Sequence, residues 1–332
     1  PGAGHRRHVQ MKELQDILRL VHERPGPLAL ATLVRAQGAS YRRTGARLLL
    51  DASGPLRGSL SGGCLEGDVQ ARALEALAQG RPKLVRYDLR GELDLVWGSG
   101  SGCEGVLDIL VEPLQGFPEW MAWVEQAWAS RTGIILHTAL DPERLGQRAL
   151  LAQHESRDRG FTETILPPQA LWILGAGDDS RPLVHLAKAL GWFVGVVDHR
   201  PAFAQPARFP EADAVRSGHP AQVLPTLPLD ARSAVVLMTH HYAKDLEALR
   251  LLLPSQAGYL GLMGSRARGA RLLGELAAEG LHPDARLHTP VGLDLGATEP
   301  EGIALAILAE VQSFAADRSG LPLSGTRTQA TP

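Results

Sequence analysis

The stretch "SLSGGCLEGDV" (59–69) sets Cys64 directly after Gly62 and Gly63 and two residues before Glu66. Only one other cysteine occurs in the chain, Cys103, and it also sits among glycines, in "GSGSGCEG". A glycine turn that feeds a helix presents unpaired backbone amides, which attract anions. Glycine lets the backbone come close to a ligand and adopt positive φ. A free thiol titrates near ~8.5, and a helix start lowers that by under one unit, since it supplies only ~0.3–1 kcal/mol against ~1.36 per unit. A reactive thiolate at neutral pH therefore needs a cation beside it, and the nearby loop "QGASYRRTGAR" offers Arg42, Arg43 and Arg47. Glu66 and Asp68 in the first turn favour the helix and oppose the thiolate. A small buried cysteine behind a structural turn is the plainer alternative. Neither cysteine has a partner at the spacing of a zinc site.

The second group of chemical residues lies further along. "GAGDDS" (175–180) follows an apolar run and precedes a helical one, and Asp198 stands about twenty residues on. Gly175, Gly177 and Asp198 occupy the places of a dinucleotide fingerprint. Two features disagree with it: Ser180 stands where a third Gly or Ala belongs, and Asp178 and Asp179 stand where a pyrophosphate would dock. Two unit charges ~6 Å apart repel by about 2.8 kcal/mol at an effective dielectric of ~20, which exceeds the ~0.3–1 kcal/mol returned by the helix end. NAD(P) is therefore disfavoured. The alternative is that these aspartates cap the helix. Asp178, Asp179, Asp198 and His240 could also converge on a divalent cation. In "LMGSRARGARLL", the turn Gly264–Ser265 with Arg266, Arg268 and Arg271 beside it could form a second anion site, with a solvated basic helix face as the alternative.

These residues need elements to hold them. Leu14, Ile17, Leu18 and Val21 share one face of a helix over Met11–Glu23. "LALATLVRA" and "ARLLLDASG" read as strands, and Cys64–Leu77 as a helix. "KLVRYDL" and "GVLDILVEPL" are strands around the Cys103 turn, followed by a Trp-rich helix and two more strands. Residues 155–168 are polar, end in Pro-Pro and read as a linker. Beyond them, near-continuous apolar strands alternate with helices, which predicts a parallel sheet covered on both faces, a Rossmann-like domain. The expected division is an N-terminal mixed α/β domain (1–154), the linker (155–168), a Rossmann-like C-terminal domain (169–316) and a tail (317–332).

The 332 residues suit about two domains. A formal net charge of −2 argues against a nucleic-acid or anionic-membrane binder that works through bulk electrostatics. Two cysteines form no disulfide framework, and no apolar run reaches the ~18 residues of a membrane span. The expectation is a cytoplasmic protein.

Several motifs together carry a resemblance. "TLVRAQGASYRRTGARLLLDASGPLRGSLSGGCLEGDV", "SGCEGVLDILVEP", "GYLGLMGSRARGARLL" and "LHTPVGLDLGATEPEGIALAI" resemble, in this order, the XdhC/CoxI family. The resemblance implies a xanthine dehydrogenase accessory protein, a chaperone more than an enzyme. Such a protein holds molybdenum cofactor (molybdopterin) and passes it to a molybdenum hydroxylase apoenzyme. It also implies a cysteine desulfurase as a further partner and a homodimer. The family's GGC-x-E pattern falls on Gly62, Gly63, Cys64 and Glu66, with Cys64 as a molybdenum ligand. The rival readings are an NAD(P)-dependent oxidoreductase and a partner-binding scaffold without cofactor.

Overall fold

A computed structural model describes residues 11–38, 40–89, 105–152, 155 and 160–324. The chain forms two compact units, residues 1–167 and 168–332.

In the first unit, helix α1 (Met11–Glu23) precedes strands β1 (Leu28–Gly38), β2 (Arg47–Asp51) and β3 (Gly54–Gly58). Helix α2 (Glu66–Gln79), strands β4 (Lys83–Asp88) and β5 (Gly105–Leu114) and helix α3 (Glu119–Ala129) follow. The five strands pair antiparallel in the order β3-β2-β1-β5-β4. β1 alternates strictly: Leu28 and Leu30 pack with α1 and α3, while Ala29, Ala31 and Leu33 pack with α2. Both faces are covered, which is why the strand reads as one unbroken apolar run.

A second, three-stranded sheet completes this unit: β6 (Ile134–Ala139), β7 (Arg148–Leu151) and β8 (Gly160–Ile165), in the order β7-β6-β8. β8 lies inside the segment expected to be a linker. It pairs antiparallel with β6 from Ile165 opposite Ile134 to Gly160 opposite Ala139. Phe161, Glu163 and Ile165 are buried and Thr162 and Thr164 exposed, a period-two pattern masked by an acid at the buried centre. Glu163 is buried because it meets the guanidinium of Arg47, itself 2% exposed. The unit boundary falls at the Pro167–Pro168 pair.

In the second unit the strands are β9 (Ala170–Leu174), β10 (Phe193–Asp198), β11 (Ala214–Ser217), β12 (Ser233–Leu237), β13 (Tyr259–Leu262) and β14 (Leu287–His288). All pair in parallel, in the order β11-β10-β9-β12-β13-β14. That is the doubly wound order, with its switch point between β9 and β12. Helices α4 (Ser180–Ala189), α5 (Pro220–Val223), α6 (Tyr242–Leu252), α7 (Arg266–Ala278) and α8 (Pro300–Ala315) complete it. α4 and α8 pack on one face of the sheet, α6 and α7 on the other. Among the described residues, no helix is long and apolar enough to cross a membrane.

Candidate functional site

Strand pairing decides which loops of the first unit lie together. Thr32 of β1 faces Arg47 at the start of β2, and Leu48 faces Gly58 at the end of β3. Residues 40–46, with Arg42 and Arg43, and the turn 59–65, with Cys64, therefore lie at the same end of the five-stranded sheet. Cys103 lies outside the described residues.

Glu66 organises the turn. Its carboxylate accepts the amides of Leu60 (3.2 Å), Ser61 (3.0 Å) and Leu65 (3.2 Å) and the hydroxyls of Ser59 (3.2 Å) and Ser61. The Ser61 hydroxyl in turn accepts the amides of Gly63 and Leu65 at 3.3 and 3.1 Å. Burial raises the Glu66 carboxyl, but the Ser61 hydroxyl and the surrounding amides outweigh it and hold the group below the usual glutamate range. Glu66 was expected to touch a cofactor; its oxygens instead face the chain's own turn. Asp68 is likewise engaged, with the Tyr87 hydroxyl at 2.6 Å and with Arg72.

What the turn leaves outward is small and open. Gly62, Gly63 and Gly67 are exposed, and a side chain at any of them would meet nothing within 4 Å. Gly63 has φ +114°, which a residue with a Cβ adopts only under strain. Among the described residues, no acceptor serves the amides of Gly62 and Cys64. Cys64 is a free, half-buried cysteine leaning on the core of Leu60, Leu65 and Val69. Of the arginines expected beside it, Arg47 is buried against Glu163, and Arg42 bonds Glu13 at 2.5 Å. Arg43 alone of the three is exposed. A cleft lined by Glu112, Trp120, Gln147 and Arg148 opens at the opposite end of the same sheet, so it is a different place.

In the second unit the expected fingerprint is present in backbone and altered in chemistry. Gly175 has φ +120°, and a Cβ there would stand 2.3 Å from the carbonyl oxygen of Met238, so only glycine lets the turns after β9 and β12 meet. Asp198 accepts the amide of Ala176 at 2.8 Å and the Arg200 side chain at 2.9 and 2.8 Å. Burial raises its carboxyl; Arg200 and the amides outweigh burial and hold it low. The oxygens that would meet a ribose hydroxyl thus hold the glycine turn and Arg200. Asp179 stands at the N-cap of α4 without a capping bond from its side chain. Its Oδ2 meets His240 Nε2 at 2.7 Å, and its Oδ1 lies so close over Gly177 that a Cβ there would be 2.4 Å away. Ser180 is fully buried and donates to the Gly177 carbonyl at 2.7 Å.

The four residues expected to share a cation do not. Asp178 pairs with Arg208 at 2.8 Å, Asp198 with Arg200, and Asp179 with His240. Among the described residues, no group of three or more His, Cys, Asp or Glu side chains could hold a metal. His240 has φ +55° and follows β12 instead of belonging to it. At the start of α7, Ser265 caps the helix by accepting the Arg268 amide at 3.2 Å, and Gly264, Ser265 and Arg266 are exposed. Arg268, expected beside this turn as an anion-binding cation, instead turns inward to the buried Asp245 at 2.5 Å, while Thr239 donates to the same carboxylate at 2.5 Å. Sequence reasoning missed Arg200 and Arg208, whose guanidiniums both lie against the ring of Phe203.

The molecule is thus a two-unit α/β protein: a carboxylate-held glycine–cysteine turn in the first unit and a doubly wound sheet with its own aspartate over the glycine turn in the second. Residues 21–88 match the XdhC and CoxI family, and residues 171–311 match the XdhC Rossmann domain. A curated protein of Bacillus subtilis (strain 168), named as a probable xanthine dehydrogenase subunit, is 32% identical over 306 residues, covering 85% of this chain and 91% of that protein. The molybdenum cofactor insertion chaperone PaoD of Escherichia coli (strain K12) is 26% identical over 288 residues, covering 86% of this chain and 82% of its own. A crystal structure described as a xanthine dehydrogenase from Bacillus halodurans superposes with a TM-score of 0.80 at 29% identity, over 95% of this chain and 98% of that one. The chain belongs to the XdhC and CoxI family.

Proposed function

We propose that this protein is a molybdenum cofactor-binding accessory protein that assists maturation of, and cofactor insertion into, a xanthine dehydrogenase-type molybdenum hydroxylase. The observation that carries the reading is the turn 59–65. Glu66 holds it in place, so that Gly62 and Gly63 are exposed beside the half-buried thiol of Cys64. A cofactor with a phosphate and a thiophilic metal fits that donor set, with free amides for the anion and a soft sulfur for the metal. The cofactor brings the redox-active metal centre; this chain contributes a receptor that binds it, orients it and keeps it for transfer. The name of the Escherichia coli relative, an insertion chaperone, agrees with such a role. In this reading the recipient is a molybdenum hydroxylase apoenzyme, a cysteine desulfurase is the sulfur donor, the working form is a homodimer, and the compartment is the cytoplasm. Arg43 is the cationic candidate for the cofactor's phosphate.

The experiment is co-purification from a host that makes molybdenum cofactor. Molybdenum by elemental analysis and oxidised-pterin fluorescence are measured on the parent and on Cys64→Ser. Stoichiometric retention by the parent and strong loss in the variant are expected. A parent that retains neither molybdenum nor pterin would overturn the reading.

A further inference from the structure

The carboxyl edge of the second sheet carries a pair of arginines that the proposed function does not use. Phe203 follows β10, and the guanidinium carbon of Arg200 lies 3.8 Å from its ring centroid. Arg208, in the single helical turn Pro206–Arg208, lies 4.7 Å from the same centroid and 6.0 Å from that of Phe209. One aromatic ring therefore gathers two cations beside the glycine turn 175–179.

Their counter-charges are held very differently. Arg200 grips Asp198 through two bonds, and Asp198 is buried and fixed further by the amides of Ala176 and Arg200. Arg208 meets Asp178 through one bond of 2.8 Å. The Asp178 side chain is 83% exposed, whereas Arg208 is 25% exposed. An exposed pair of this kind contributes little, because water competes for the carboxylate. A guanidinium has five N–H donors in a planar fork suited to phosphate oxygens. Asp178 takes one of them. The location is the ligand edge of a doubly wound sheet, next to its switch point.

We propose that Arg208 is a receptor for a phosphate dianion, free or borne on a monoester, and that Asp178 is its intramolecular competitor, displaced from the guanidinium when the phosphate binds. Arg200, committed to Asp198, packs on the same Phe203 ring as Arg208. The proposal concerns a different unit from the Cys64 turn and does not depend on molybdenum cofactor. The phosphate source is either free phosphate or a phosphorylated nucleoside.

The test uses the full chain. Inorganic phosphate and adenosine monophosphate are titrated by calorimetry into the parent, Asp178→Asn and Arg208→Gln, at ionic strength held constant with chloride. Removing the competitor should tighten phosphate binding about two- to fivefold. Removing the receptor should weaken it about tenfold or more. No detectable phosphate binding by the parent and Asp178→Asn overturns the proposal. So does equal affinity in the parent and Asp178→Asn, or in the parent and Arg208→Gln. Asp178 is exposed and its replacement leaves packing alone, so that arm decides the matter even if Arg208→Gln folds poorly. Adenosine monophosphate binding tenfold tighter than phosphate identifies a phosphorylated nucleoside as the ligand; equal affinities identify the free anion.

Discussion

Glu66 accepts the Ser61 amide at 3.0 Å and also the Ser61 hydroxyl, so the first residue of α2 fixes the turn that carries Cys64. The relation makes Glu66 a positioning residue: it acts on a ligand through the loop it holds.

The consequence for acid pH follows from the sign of its shift. The folded carboxyl lies below its usual value, and unfolded glutamate titrates near ~4.3. Its contribution is therefore complete above that value and falls away as the pH drops through the folded one. Glu66→Gln should unfold at lower urea than the parent at pH 7, and the gap should narrow as the pH falls below ~4.3. A gap independent of pH would show that the carboxylate charge plays no part.

Cys64→Ser should melt within a few degrees of the parent, because the thiol is only half-buried and serine fits the same space. Its molybdenum content after co-purification should fall strongly. Equal content in both proteins would remove Cys64 from the ligand set.

Asp179 lies over Gly177 and holds His240, so a dinucleotide pyrophosphate meets a carboxylate at the place where it would dock. Calorimetry should find the parent binding NAD(H) no tighter than about 1 µM. Asp178→Asn with Asp179→Asn should bind more tightly. Sub-micromolar binding by the parent would show that Asp179 swings clear of the turn.

Arg47 and Glu163 are 2% and 5% exposed. Glu163→Gln leaves a guanidinium without its counter-charge in the interior of the first unit, at a cost of about 3 kcal/mol. Urea unfolding measures the loss. Hydrogen exchange should place it at β6–β8 and β2, with the amides of β9 and β12 unchanged.

Much of this was legible in the residue order. β9 and β12 are buried at every position, and their unbroken apolar runs announced the central strands of a parallel sheet. The turn before α2 was legible from its glycines. What escaped were the partners that neutralise each charge. Arg47 looked like a cation available to Cys64, because nothing near it in sequence reveals a partner 116 residues on. Asp198 stood at the spacing of a ribose-binding acid, and that spacing says nothing of Arg200 turning back on it two residues later. The charges of Asp178 and Asp179 were legible; the separate partners that divide them, Arg208 and His240, were not.

The position of β8 determines where the chain can be cut. A fragment ending at residue 154 would lose Phe161 and Ile165 from two separate cores and Glu163 from beside Arg47. It would also uncover the whole length of β6, from Ile134 to Ala139, as an unpaired edge open to strand addition by another copy. A fragment ending at residue 167 keeps that edge covered. Clumping of the shorter piece would therefore report a missing strand and not a failure of the first unit to stand alone.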